Sequence, residues 1–294
     1  YTHFEAIGPV CPVCRGQGDE SPLTVQTVVE EAPGDLIEGV LGCPLCLREY
    51  PVLDGIPMLV PTIRHHIQHN TAAILYRDDL SPVVESILGD CAGPGSQLDI
   101  LRQHLSNYCS DHWGDLDPEA SENERLSSGA VCRALERALC LDEDVGGDEP
   151  VVDLGCSVGR SSFAIAERTE GLVLGMDLNF SMLRVASRVL RSGRVRYPRR
   201  RVGLVYDRRD FDVNLPGADR VDFWHCDVTA LPLSAGSLGR VLSLNLIDCL
   251  PDPRAHLRAA RQILRPGGKL HLCTPFDWSV AATPIESWVG GHSQ

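Results

Sequence analysis

No stretch of this 294-residue chain runs apolar for the ~18 residues that a membrane-spanning helix needs. The opening YTHFEAIGPV has neither the basic region nor the apolar core of a secretory leader. Both absences point to a cytoplasmic protein without a membrane partner. Positive charge is also short: 27 Lys and Arg stand against 40 Asp and Glu, a formal charge of −13. Such a chain repels polyanions at long range, which disfavours nucleic acid as its main partner. A third absence lies in VVDLGCSVGRSSFA, residues 151–164. The dinucleotide spacing G-x-G-x-x-G would fall on Gly155, Ser157 and Arg160, so an NAD site is disfavoured.

That stretch is nevertheless the centre of the chain. Two β-branched residues lead to an acid, a small-residue turn follows, and an amphipathic run opens at Ser161, the pattern of strand, tight turn and helix. Gly155 and Gly159 would supply positive φ and close approach, and the N–H groups opening the helix suit an anionic group. The stretch resembles motif I of the class I S-adenosylmethionine (SAM) methyltransferases, matched by Asp153, Gly155 and Gly159, with Ser157 in place of the middle glycine. Matching segments follow in order. LVLGMDLN ends a strand on Asp177, suited to the ribose hydroxyls. VDFWHCDVT ends on Asp227 and continues into Ala230-Leu231-Pro232, which in the family holds adenine. Residues 240–250, the turn Leu264 to Gly268 and the run Lys269 to Pro275 resemble the fourth strand, its Pro-Gly-Gly turn and the fifth strand. The resemblance implies an α/β, Rossmann-like sheet over 149–294. It implies that SAM is bound by Asp153, Gly155, Cys156, Ser157, Gly159, Asp177, Leu178, Asp227, Val228 and Asn245. The alternative is a generic doubly wound sheet whose strand-end acids cap helices. Seven strands are usual in this class, yet only Ser279 to Gln294 follow the fifth, so the expectation is a truncated chain or an edge supplied by a partner.

Cys11-Pro-Val-Cys14 and Cys43-Pro-Leu-Cys46 are two C-x-x-C knuckles with zinc-ribbon spacing, redox dithiols being the other possibility. Four thiolates leave no open coordination position, so the metal would be structural. The run EYPVLDGIPMLVP, with Asp54-Gly55 as a hairpin turn, resembles the small zinc-ribbon activator protein of tRNA and ribosomal methyltransferases. The chain therefore reads as a ribbon at 1–61, expected to fold on its metal independently of SAM binding, fused to a methyltransferase domain.

Residues 62–148 read as a helical linker or lid, with helical periodicity at Ile63–Asp90, Gln97–Trp113 and Gly129–Leu141 and an acidic loop from Asp115 to Arg125. His65, His66 and His69 lack a neighbouring carboxylate or fourth ligand and read as a solvated helix face rather than a metal set. Tyr108, His112 and Trp113 are candidates to fold over a substrate, against ordinary packing. The stretch Arg191–Asp219 is an insertion carrying eight arginines up to Arg209. It reads as a hairpin with a solvated face, an anionic-substrate site or a docking surface.

The fourth strand lacks the Asn/Asp-Pro-Pro-Tyr/Phe of nucleobase enzymes and continues instead as NLIDCLPDP. With VGRSSF upstream and the segments around Trp278 and Trp288 downstream, residues 150–291 resemble the 4-mercaptohistidine N-methyltransferase domain of ovothiol biosynthesis, with Cys249 in place of the family's arginine. That resemblance implies an enzyme methylating an imidazole or amine nitrogen of a small molecule. An acceptor imidazole needs its far N–H held by a carboxylate, for which Asp248 is the candidate, with Asn245 beside it and Trp278 or Trp288 as an aromatic wall. Asp248 as a helix cap is the alternative. Two other functions stay open: an RNA base methyltransferase with a ribbon module, and a non-catalytic SAM-binding or partner-docking protein. The sequence does not set the oligomeric state.

Overall fold

In the computed structural model, which describes residues 2–139 and 147–291, the first cysteine pair is built around a short helix. α1 (Thr2–Ile7) and α2 (Pro12–Gly16) lead into an antiparallel meander of β1 (Thr24–Ala32), β2 (Asp35–Gly42), β3 (Glu49–Leu53) and β4 (Ile56–Leu59). Asp54 and Gly55 take φ of 53° and 73°, as a tight hairpin between β3 and β4 requires. Five helices follow: α3 (Ile63–Ile74), α4 (Pro82–Ala92), α5 (Gln97–Trp113), α6 (Glu122–Ser127) and α7 (Ala130–Leu139). Ser81, Ser96 and Ser121 cap α4, α5 and α6 by accepting an amide of the first turn. The expected single run Ile63–Asp90 is thus two helices, and the expected loop 115–125 ends in a capped one. The expected end of the following helix at Leu141 lies outside the described residues. The remainder alternates as β5 (Val151–Leu154), α8 (Arg160–Ala166), β6 (Val173–Asp177), α9 (Phe180–Ser192), β7 (Arg194–Val202), β8 (Val205–Asp212), β9 (Val221–Cys226), β10 (Leu238–Leu244), α10 (Pro253–Ile263) and β11 (Leu264–Cys273).

Nine strands form one sheet in the order β1-β2-β3-β4-β9-β6-β5-β10-β11. β5, β6 and β10 are buried along nearly their whole length, as strands of a parallel sheet covered on both faces are. All four residues of β4 are buried too, and β4 runs parallel to β9 with Met58 opposite His225 and Leu59 opposite Cys226. The cysteine-bearing meander is therefore an extension of the Rossmann-like sheet. Tyr50, Val52 and Leu59 share a core with Leu174, Met176 and Trp224. Residues 151–291 add five strands to this sheet, with β11 at the edge. Among the described residues no helix is long and apolar enough to cross a membrane.

β7 and β8 form a separate hairpin, and three of its arginines face acids of the helical segment while Arg194, Arg196 and Arg201 pair within the hairpin. Arg208 pairs with Glu85 at 2.6 Å, Arg199 with Glu124 at 3.3 Å and Arg209 with Glu119 at 2.8 Å. Arg102 lies 4.0 Å over the Tyr206 ring, and the Arg200 amide donates to Ser106 Oγ at 2.8 Å. Such pairs fix position more than they add stability. Here they fasten α4, α5 and α6 over the sheet.

Since Leu59 is fully buried where meander and sheet share a core, Leu59→Ala should destabilise the fold by about 2–5 kcal/mol. Far-UV circular dichroism and tryptophan fluorescence should then report one transition at a lower temperature. Two separated transitions would mean that the meander folds alone.

Candidate active site

The turn after β5 is shaped by what surrounds it. Gly155 and Gly159 take φ of 79° and 82°, and a Cβ would meet Leu246 at 2.8 Å in the first case and the Phe223 ring at 2.7 Å in the second. Only glycine fits either position. Ser157, standing where the middle glycine would be, holds φ of 53°. Its amide donates to Asp177 Oδ2 at 2.8 Å, and the Asn179 amide donates to Oδ1 at 2.8 Å. Asp177 thereby ties the turn to the end of β6. Asp153 lies beneath, buried, accepting from the Ser161 and Ser162 hydroxyls at 2.6 and 2.7 Å. Trp113, fully buried at the end of α5, donates from Nε1 to Val158 O at 3.3 Å and anchors the roof helix to the same turn.

At the C-terminal ends of β5, β6, β9 and β10 opens a cleft of about 850 Å³, the position and size at which open α/β sheets bind ligands. Gly155, Asp177, Leu178, Asp227, Val228 and Leu246 make its floor. Helices α3 and α5 make its roof through His66, His69, Leu101 and His104, with Tyr76 just after α3. Among the described residues three carboxylates, Asp177, Asp227 and Asp252, line it, and no Lys or Arg does. Burial raises the Asp177 carboxyl above its usual range, against the lowering effect of its amide donors. Asp227 Oδ1 accepts from the Thr229 amide and hydroxyl at 2.9 and 2.6 Å. These residues fit SAM. Asp177 suits a ribose diol, Asp227 and Val228 suit an adenine edge, the turn amides suit the amino-acid end, and the acidic lining suits a sulfonium.

The structure brings Gly155, Asp177, Leu178, Asp227 and Val228 onto the cleft. Ser157 and Gly159 shape the turn without lining the cleft, and Asp153 and Cys156 are buried beneath it. The candidates of the fourth strand go elsewhere. Asn245 takes φ of 51° and donates its amide to Cys273 O at 2.7 Å, outside the cleft lining. Asp248 is buried, with Oδ2 accepting from the Asp277 amide at 2.8 Å and its carbonyl accepting from Thr283 Oγ1 at 3.2 Å. It fastens the segment after β11 and does not line the cleft. Nor does it cap α10, since Asp252 accepts from the Ala255 amide at 2.9 Å. Trp278 and Trp288 stack at 5.8 Å on that segment and do not line the cleft. Tyr108 lies exposed one turn beyond His104 on α5. His112 is buried, held down to about 4 first by burial and then by Arg160. Neither lines the cleft. His66 and His69, expected on a solvated helix face, line the cleft instead, as do His104 and Asp252, which sequence reading passed over. Their signal was the helical spacing that places 66, 69 and 73, or 97, 101 and 104, on one face.

At the other end of the meander the sulfurs of Cys11 and Cys46 are 3.6 Å apart, those of Cys14 and Cys43 are 3.7 Å apart, and all four lie within 4.8 Å of one another. A tetrahedral ion with metal–sulfur bonds of ~2.3 Å has sulfur–sulfur edges of about 3.8 Å, so the cluster fits one. The Cys46 amide donates to Cys43 Sγ at 3.4 Å, and Tyr50 Oη stands 3.2 Å from Cys11 Sγ, contacts of the kind that orient metal ligands.

Residues 152–272 match the family described as methyltransferase domain. Over 186 residues the chain is 27% identical to methyltransferase GfsG of Streptomyces halstedii, covering 62% of this chain and 55% of that protein. It is 30% identical over 126 residues to an arsenite methyltransferase of Aquipseudomonas alcaligenes, covering 41% of this chain and 31% of that protein. A solved structure of phosphoethanolamine N-methyltransferase 2 from Haemonchus contortus with SAM aligns at a TM-score of 0.37 and 20% identity, over 58% of this chain and 34% of that one. The chain spans about half the length of the curated relatives it matches. Residues 152–272 thus match a methyltransferase domain, and the Rossmann-like sheet, the glycine turn and the strand-end acids support a SAM-dependent enzyme of that kind.

Asp177→Ala should weaken SAM binding by about 1–3 kcal/mol, the cost of unmade charge-assisted hydrogen bonds. The pH dependence has a defined sign. A raised folded-state pKa means that ionised Asp177 costs stability at neutral pH and that this cost is relieved as pH falls. SAM affinity, which uses the ionised form, should fall on acidification at a higher pH than an ordinary aspartate near ~3.9 would give. Calorimetric titration across the acid range checks both.

Proposed function

We propose that this protein transfers the methyl group of SAM to a nitrogen of a small molecule, and that Cys11, Cys14, Cys43 and Cys46 hold one structural zinc ion. The observation that carries the reading is the charge of the cleft, with Asp177, Asp227 and Asp252 on its walls and no Lys or Arg among the described residues that line it. An amine or imidazole nitrogen gains positive charge as it accepts a methyl group, and preorganised carboxylates favour that change. A phosphate-bearing acceptor would be repelled there. Arg208, Arg209 and Arg199 of the hairpin, committed to Glu85, Glu119 and Glu124, support a small acceptor over RNA. The NLIDCLPDP likeness supports nitrogen over the other acceptor atoms that relatives' names include.

Bound SAM supplies a methyl group on a sulfonium, so the chain need provide no nucleophile of its own. Its residues position and exclude water. Asp177 and the glycine turn hold the cofactor against the floor, and Leu246 and Cys249 bound the space above the turn. Leu98, Leu101 and His104 on α5 close the acceptor side. A neutral amine or imidazole attacks with its lone pair while the carbon–sulfur bond breaks. The proton then lost by the product passes to solvent or to a cleft group, with His104 and Asp252 the titratable groups on that side. The zinc thiolates leave no open position and act only on folding.

Incubation with methyl-labelled SAM and a panel of amines, imidazoles and small thiol-histidines, read by mass spectrometry, should give an N-methylated product. Methyl transfer only to oxygen, sulfur or arsenic, or SAM binding with no transfer, would overturn the nitrogen assignment. Metal analysis should find about one zinc per chain, lost in Cys43→Ser.

A further inference from the structure

The structure assigns to His66 a role in reading the adenine edge of SAM, a contact supplied by the roof and not by the strand-end motifs; the assignment rests on the cofactor reading above. β4 pairs with the end of β9, so α3 starts beside the tip from which Asp227 follows. His66, in the first turn of α3, lines the cleft, and its ring stands 4.6 Å from that of His225 at 56°. His225 is itself held in place, with Nε2 2.8 Å from the carbonyl of Leu178, the residue after Asp177, and with Phe180 edge-on at 5.7 Å. These contacts hold the His66 ring at the cleft wall, within the field of the Asp227 carboxylate.

The chemistry of the ring selects a ligand. Burial lowers the His66 pKa more than the Asp227 carboxylate raises it, so the imidazole is neutral near pH 7, with one nitrogen donating and the other accepting. Nε2 is shielded from solvent and has no hydrogen-bond partner, a state that costs free energy until a partner arrives. A donor nitrogen beside an accepting carboxylate complements a purine edge that places an exocyclic amine next to a ring nitrogen. The amine donates to Asp227, and the ring nitrogen accepts from His66. A 6-oxopurine presents the opposite pattern at that edge and leaves both protein groups unmatched.

The test is calorimetric binding of S-adenosylhomocysteine and of its deaminated form, S-inosylhomocysteine, to wild type, His66→Phe and His66→Gln. Phe keeps a flat ring against His225 but has no donor, whereas Gln keeps an N–H. We expect His66→Phe to bind S-adenosylhomocysteine about tenfold more weakly, with a narrowed preference over the inosyl form, and His66→Gln to recover most of the loss. Unchanged affinity and preference in a folded His66→Phe, verified by circular dichroism, would overturn the role of His66 while leaving the cofactor reading intact. A folded wild type that binds neither compound would overturn both.

Discussion

Two residue pairs, Met58 with His225 and Leu59 with Cys226, join the cysteine-bearing meander to the Rossmann-like sheet, and the cleft is built around that joint. Because the pairing is parallel, the chain leaves β4 at the same end at which β9 delivers Asp227. Only three residues then separate Leu59 from α3, so the first roof helix has little freedom over where it starts. The core under the joint is common to both parts, with Tyr50 and Leu59 against Met176 and Trp224. Burying those side chains holds the roof in place as much as it holds the sheet together.

The opposite margin of the roof is held by charge. The hairpin β7–β8 brings Arg208, Arg209 and Arg199 to Glu85, Glu119 and Glu124, and Arg184 joins α9 to Asp54 at 2.8 Å. The net charge of −13 is thus unevenly spent: acids on the outside of the roof are matched, while those on the cleft walls are left without a base. A cation entering the cleft therefore meets a field that the rest of the surface has partly cancelled.

The floor was legible because its chemistry sits at short, fixed offsets along the chain. Gly155, Gly159, Asp177 and Asp227 each stand at a strand end, where residue type and spacing carry the information. Even the all-buried run Ile56–Leu59 held a hint, since a strand with no polar alternation is covered on both faces. The roof was not legible. His66 and His104 come from different helices, and helical spacing tells which residues share a face without telling which face meets the cleft. Asp248 drew attention by standing just after β10, but its partner is the amide of Asp277, contributed by a segment that folds back from beyond β11. Nothing local to NLIDCLPDP announces that contact.

The order of the pieces along the chain separates two properties that most clefts entangle. The glycine turn and the strand-end acids of the cleft floor come from the alternating strands and turns after residue 150, whereas Leu98, Leu101 and His104 on α5, which line the roof, belong to an earlier stretch with its own caps and its own anchor at Trp113. Change in that one helix face therefore reshapes the roof of the cleft without touching Gly155, Asp177 or Asp227 on its floor.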